Sequence, residues 1–256
     1  MKTKLESRDK VSAERWNRAQ EWEKNFWVEC DRKAARYGKF FIWKLLRPFG
    51  FAGKYVGDRQ NRFWTDAFDG YSFLPPEIGT AIEAGCGPHT NMRRISEVCR
   101  PRHLFLSDPL IRTYVGFKNC YVSDAYKNGF CTIDDFPLEN TPYKDAFFDM
   151  AVMINVLDHV MDATLCMENI QRIVKPGGWL LVAQDLTDEN DVRNRENEGR
   201  AEVGDTGHPI TLAPGWFDKT LVRAGYDAVI DKVVRHNDGA ASGLHCGTLV
   251  FAGRKK

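Results

Sequence analysis

The sequence predicts an α/β fold: a doubly wound, mostly parallel seven-stranded sheet, an antiparallel hairpin at its C-terminal edge and an N-terminal helical extension. Three observations carry that expectation. From Ile78 onward, short apolar runs alternate with helical stretches, the pattern of a parallel sheet covered on both faces. The first of those runs breaks into a glycine turn, AIEAGCGPHT at 81–90. The last two are joined without a helix across RHNDGAASG, which reads as an antiparallel pair at the sheet edge.

Taken in order, residues 12–37 lack proline and place Trp16, Ala19, Glu23, Phe26, Trp27 and Cys30 mostly three or four apart, which predicts an amphipathic helix. A second helical piece is expected over 38–47, stopping at Pro48, before the glycines at 50, 53 and 57 open a loop. RQNRFWTDAFDGYSFLPP at 59–76 holds one more short helix carrying Phe63, Trp64, Phe68 and Tyr71, ended by the proline pair. Strands are expected at 79–84, 103–107, 129–133, 148–154, 178–184, 226–234 and 246–252, and helices at 90–100, 111–118, 162–174 and 214–224. KPGG at 175–178 ends a helix and starts a strand, its glycines allowing positive φ. This divides the chain into a helical extension, 1–58, and one α/β domain, 59–256.

With 256 residues, 43% of them apolar and 28% charged, the chain has the composition of a folded globular protein. A formal net charge of +1 gives no overall field toward nucleic acid. Locally, nine Lys or Arg stand between Arg32 and Arg62 against Asp58 alone. Those cations suit a phosphorylated ligand, although the polar face of amphipathic helices explains them too. The seven cysteines are odd in number and form no CxxC pair, and the opening MKTKLESRDK is polar, so reduced thiols in a cytoplasm are expected. No apolar stretch reaches the roughly 20 residues of a membrane span. FFIWKLL at 40–46 is short and interrupted by Lys44; it allows a weak peripheral membrane contact, an ordinary core helix being preferred.

In open α/β sheets, ligands sit at the carboxyl ends of the strands, and the first turn is the usual cradle. A dinucleotide would want G-x-G-x-x-G, yet the chain reads Gly85, Cys86, Gly87, Pro88, His89, Thr90, with no third glycine. Glu83, just before the first glycine, would repel a pyrophosphate and suits a ligand with an ammonium group. This E-x-G-x-G after an apolar strand resembles motif I of the class I S-adenosylmethionine-dependent methyltransferases, with the texture of the small-molecule, type 11 branch. HLFLSDPL, CTIDDFPLENTPYKDAFFD, FFDMAVMINVLDHVMD and NIQRIVKPGGWLLVAQD resemble further segments of that family in its order.

The resemblance implies a Rossmann-like methyltransferase fold with S-adenosylmethionine as cofactor and S-adenosylhomocysteine as product. It implies that Glu83, Ala84, Gly85 and Gly87 receive the methionine end, that Asp108, 25 residues beyond Glu83, binds the ribose hydroxyls, and that Pro109 and Leu110 border the adenine. The acid facing the adenine amino group would be Asp134 or its neighbour Asp135, since Thr132 stands where many relatives carry one. It further implies that residues 59–76 form a lid with Trp64, Phe68 and Tyr71 as walls, a spacing that core packing explains equally well, and that Asn155 lines the cofactor or acceptor pocket.

Methyl transfer is an in-line displacement, so alignment dominates; a hydroxyl acceptor usually also needs a base. His159, in NVLDHV, is the first candidate base and His208, in GHPITLAPGW, the second; for each the alternative is a structural role in its loop. His89 and His245 read as structural, and Asp158 and Asp185 carry no assigned catalytic task. The charged run at 187–200 reads as a solvated loop. No metal site is read from the sequence. The expected function is methyl transfer to a small-molecule or glycan-type acceptor, phosphorylation of which fits the basic segment, with oxygen favoured over nitrogen. The alternatives are a cofactor-binding module that partners another biosynthetic enzyme and, less favoured for want of a [DN]-P-P-[YFW] signature and of net positive charge, a nucleic acid methyltransferase.

Overall fold

A computed structural model describes residues 8–37, 58–118, 120–187, 207–235 and 247–256. The expected helix at 38–47, the charged run beyond 187, His245 and the body of the RHNDGAASG connection lie outside the described residues. Seven strands are present: β1 (Glu77–Ala84), β2 (Arg100–Ser107), β3 (Thr132–Asp134), β4 (Phe148–Ile154), β5 (Val174–Leu186), β6 (Tyr226–Arg235) and β7 (Gly247–Lys255). Their order is β3-β2-β1-β4-β5-β7-β6. β1 with β2, β2 with β3 and β4 with β5 run parallel, whereas β7 is antiparallel to both β5 and β6. The α/β architecture with its antiparallel C-terminal edge therefore follows the expectation.

The chain divides into two compact units, one of residues 23–137 and one of 1–22 with 138–256. In the first, β1 to β3 alternate with helices α2 (Asp58–Ala67), α3 (Met92–Val98), α4 (Ile111–Tyr114) and α5 (Tyr121–Lys127). Helix α1 (Ala13–Tyr37) occupies the expected span. The expected helix at 111–118 is only four residues long, because Gly116 follows in a turn. Sequence reading missed α5. The strand expected at 129–133 starts only at Thr132, because Gly129 has φ +68 and Phe130 N–H closes back on the Ala125 carbonyl at 2.9 Å, a helix-ending motif.

In the other unit, β4 is buried almost throughout and β5 is buried from Leu180 to Gln184, as strand segments covered on both faces must be. Helix α6 (Ala163–Ile173) buries Ala163, Cys166, Met167 and Ile170, one stripe at helical spacing, and Asp162 caps it by accepting the Leu165 N–H at 3.0 Å. Strand β5 begins before KPGG rather than after it. The insertion is absorbed as a register shift, Phe148 pairing with Val174 and Met150 with Trp179, around Gly177 at φ +76. The expected helix at 214–224 breaks into α7 (Phe217–Thr220) flanked by two 3-10 turns. There the Gln171 amide takes the chain over, accepting the Val222 N–H at 2.9 Å and donating to the Thr220 carbonyl at 3.0 Å.

Residues 8–12 are built into this unit. Arg8 pairs both main-chain groups with Thr211, Val11 N–H reaches the Met161 carbonyl, and Ala163 N–H reaches the Asp9 carbonyl. The Asp9 carboxylate accepts from the Trp216 indole at 3.1 Å and the Thr164 hydroxyl at 3.2 Å. Lys10 pairs with Asp162 at 2.8 Å. Replacing Asp9 with Ala strands the buried indole N–H, at a cost of about 1–3 kcal/mol. Thermal denaturation of Asp9→Ala is expected to show a melting temperature lower by roughly 3–9 °C.

Candidate functional site

The glycine turn lies wholly within the unit of residues 23–137. Gly85 and Gly87 have φ of +66° and +53°, where an L side chain is strained, so the turn needs both. A Cβ built on Gly87 meets nothing within 4 Å, which leaves open space over the bare main chain. Below the turn sits Glu83, 1% exposed. Its carboxylate accepts from the Thr90 hydroxyl, from the main-chain and side-chain N–H groups of Asn91 (each 3.0 Å) and from Met92 N–H at 3.1 Å. Burial raises this carboxyl above the ordinary range, and those hydrogen bonds act against the rise. The acid read as a receiver of ammonium is thus engaged inside the protein, gathering the turn and the start of α3.

Asp108, at the end of β2, is 8% exposed. It accepts from Gly87 N–H at 3.0 Å and Leu110 N–H at 2.8 Å, so the second strand's acid and the first strand's turn hold each other. Its own N–H donates to the Asp134 carbonyl at 3.0 Å, bringing β3's acid alongside. Ala84 is buried, and Gly85, Pro109, Leu110 and Asp134 are half-buried. Asn61 on α2 donates to the Thr90 carbonyl at 3.0 Å, and the Cys120 thiol donates to the Pro88 carbonyl at 2.7 Å. Burial and the neighbouring acids Asp108 and Glu83 push the Cys86 thiol well up, so it stays protonated.

Trp64 is 4% exposed; Tyr71 and Phe68 are fully buried and stack at 5.4 Å. Among the described residues, the buried hydroxyls of Tyr71 and Tyr114 meet no hydrogen-bond partner. Desolvation, then the Glu83 charge for Tyr71 and the Asp108 charge for Tyr114, pushes both phenols up. Sequence reading missed Tyr114, since nothing in IRTYVGF separates it from a core aromatic. His89 packs edge-on against Trp27 at 5.2 Å.

The two candidate histidines lie in the other unit and come together. Asn155 ends β4 at φ +55, a left-handed conformation that Asn tolerates. Its own N–H is held by the Ala183 carbonyl at 2.7 Å. The next two N–H groups, of Val156 and Leu157, donate to the side chain of buried Gln184 at 3.1 and 2.8 Å. The chain then presents Asp158 and His159. Ile210 N–H on the Asp158 carbonyl, at 3.2 Å, brings in the segment that carries His208. The imidazole rings stand 4.5 Å apart. His159 Nε2 lies 3.7 Å from one Asp158 carboxylate oxygen and His208 Nε2 3.9 Å from the other. Trp16 Nε1 (3.0 Å) and Gln20 Nε2 (3.3 Å) donate to the His159 carbonyl. Gly207 is needed because a Cβ there would meet the Trp22 ring at 2.6 Å. Asp158, assigned no task from the sequence, is the buried centre of this cluster.

Two outcomes follow for the glycine-turn unit. Glu83→Gln places an amide N–H against Asn91 and Met92 donors, so calorimetric unfolding is expected to lose about 2–3 kcal/mol. Burial lowers the His89 imidazole from 6.5 to about 4, with the Asp31 charge acting weakly against it. Below pH 6.5 the unfolded chain takes up a proton that the folded chain refuses until about pH 4, so stability falls across that window as pH drops. In urea titrations His89→Phe is expected to flatten that acid limb, whose depth is up to about 3 kcal/mol.

Comparison with known proteins agrees with the geometry. A family model described as a methyltransferase domain matches residues 55–227. Similar solved structures include the N-methyltransferase NodS of Bradyrhizobium japonicum WM9 bound to S-adenosyl-L-homocysteine, with TM-score 0.52 and 14% identity over 76% of this chain and 86% of that one. YcgJ of Bacillus subtilis matches with TM-score 0.55 and 12% identity over 76% and 99% of the two chains. The [4+2]-cyclase SpnF matches with TM-score 0.53 and 16% identity over 76% and 80%. At these identities the likeness is one of fold. A 97-residue stretch is 32% identical to part of the hybrid PKS-NRPS synthetase mpsA of Macrophomina phaseolina (strain MS6); it covers 34% of this chain and only 2% of that protein. The family model spans well over half of the sequence, and the chain belongs to that family: it is a class I methyltransferase that uses S-adenosylmethionine.

Proposed function

We propose that this methyltransferase methylates an oxygen of a small-molecule or glycan-type acceptor, with Asp158, His159 and His208 as the acceptor-activating group. The observation that carries the reading is the meeting of two imidazoles over one buried carboxylate, 3.7 and 3.9 Å away. A hydroxyl must shed a proton as it is alkylated, and imidazole accepts one near neutral pH; a neutral amine rarely needs such a group. His159 is the first choice of proton acceptor and His208 the second, and Asp158 stabilises the charge that either gains. The stretch shared with a PKS-NRPS synthetase supports a small-molecule acceptor. The cations between Arg32 and Arg62 support a phosphorylated one.

On the cofactor side, bound S-adenosylmethionine supplies a methyl carbon on a cationic sulfur. The fit rests on the open space at Gly87 and on the buried Tyr71 and Tyr114 hydroxyls, polar atoms of the kind that a bound polar ligand satisfies. In this reading Ala84, Gly85 and Gly87 take the methionine end through main chain, and Glu83 keeps that main chain in place. Asp108 receives the ribose hydroxyls, Pro109 and Leu110 border the adenine, and Asp134 meets its amino group; Asn155, in the unit of the histidines, lines the acceptor pocket. Residues 59–76 act as a lid, with Trp64 and Tyr71 forming its inner wall. No described helix is long and apolar enough to cross a membrane, and the proposed setting is the cytoplasm. A second reading, a cofactor-binding protein with other chemistry, draws support from the cyclase among the fold neighbours.

An acceptor screen with labelled S-adenosylmethionine and mass spectrometry of the product tests these readings; an O-methyl product is expected, and cofactor binding with no transfer to any acceptor supports the second. With an acceptor in hand, His159→Ala is expected to lower kcat about 10²–10⁴-fold, with S-adenosylhomocysteine affinity unchanged. Asp108→Ala is expected to weaken that affinity at least about tenfold in calorimetry, for loss of charge-assisted hydrogen bonds. Equal loss of affinity in both variants, with turnover indifferent to the histidine, contradicts this division of roles.

A further inference from the structure

The Asp158, His159 and His208 cluster has the donor set of a metal site. Among the described residues, one ligand atom from each lies within 4.8 Å of the others. Two imidazoles and one carboxylate are a recurrent set for divalent transition cations, and three protein ligands leave positions for exogenous oxygen. The spacing is informative. At 3.7 and 3.9 Å from the carboxylate oxygens, the imidazole nitrogens are outside hydrogen-bond range. Ligands bound at about 2.0–2.2 Å to one cation stand roughly 3.0–3.4 Å apart, so side-chain adjustments that draw the widest pair together by about 1.4–1.8 Å close a set that now lies within 4.8 Å.

The backbone beneath these ligands is fixed. Gln184 holds the turn before Asp158. Trp16 and Gln20 hold the His159 carbonyl. Ile210 ties the His208 segment to Asp158, and the Trp22 ring seats against Gly207. The carboxylate side chain is only 8% exposed, whereas His159 and His208 are 20% and 37% exposed, so the imidazole side of the cluster is open to solvent.

We propose that Asp158, His159 and His208 together bind one divalent transition cation of the class that imidazole suits, such as Zn²⁺ or its stand-in Co²⁺. The inference rests on the reading of this cluster as the acceptor-activating group and deepens it. With a cation in place the imidazole nitrogens would be ligands instead of proton acceptors; an acceptor hydroxyl on an open position would release its proton to solvent water more readily through the nearby positive charge, and its oxygen would take the methyl group as the carbon–sulfur bond of the donor breaks.

The test uses the full chain dialysed against chelator and titrated with Zn²⁺ and, separately, Co²⁺. Saturable binding of one cation per chain is expected, with a visible absorption band for Co²⁺ and a cation-dependent rise in melting temperature. His208→Ala and Asp158→Asn are each expected to bind at least about tenfold more weakly. His208 is the decisive position, because its partly exposed side chain can be truncated without opening a core cavity; the metal-free melting temperature of each variant reports its fold. No saturable binding by the parent chain, or equal binding by parent and His208→Ala, overturns the proposal. Full methyl transfer by the chelated enzyme also overturns a cation role and leaves the imidazole-base reading intact; a silent His159→Ala removes that reading as well.

Discussion

The glycine turn depends on one buried acid. Glu83 takes hydrogen bonds from Thr90, Asn91 and Met92 and so converts a strand end, a two-glycine turn and a helix start into one rigid object. A carboxylate 1% exposed is costly to bury. It is tolerated because these donors surround it, Met92 N–H among them at a helix start whose first N–H groups have no intrahelical acceptor. From above, Asp108 holds Gly87 N–H at 3.0 Å. Two acids thus clamp a turn whose two glycines carry no side chain, leaving bare main chain at Gly85 and Gly87.

The cluster of Asp158, His159 and His208 obeys the same logic with different parts. Its residues come from turns, and turns need external support to hold a reactive geometry. Gln184 supplies it beneath β4, and the N-terminal residues supply it around the histidines, through Arg8 on Thr211 and Trp16 and Gln20 on the His159 carbonyl. Residues 8–22 therefore belong to the architecture of the cluster, a role that their amphipathic pattern alone does not reveal.

The fold was legible because apolar runs mark the strands, and the parallel β1, β2 and β4 and the antiparallel β6 and β7 fall close to where those runs stand. What was misread was decided by single contacts. Asn128-Gly129 ended an unrecognised helix through a left-handed glycine, and Gln171 broke the stretch after Phe217 by capturing its main chain. The left-handed turn at Gly85 and Gly87 and the place of Asp108 just past β2 could be read from spacing, since backbone conformation and strand ends leave sequence marks. The inward commitment of Glu83, the buried Tyr114 hydroxyl and the centring of two histidines on Asp158 could not. Each depends on which side chain folds back on which, and residues 158 and 208 are joined only in three dimensions.

The central claim is that Glu83 shapes the cofactor turn from beneath, while the neighbouring main chain and Asp108 make the contacts. A crystal structure with S-adenosylhomocysteine tests it most directly. The account predicts the ribose hydroxyls within hydrogen-bond distance of the Asp108 carboxylate, the amino acid end along Ala84, Gly85 and Gly87, and Glu83 still bonded to Thr90, Asn91 and Met92. A Glu83 carboxylate released from those three residues and bonded to the ligand's ammonium group would contradict it.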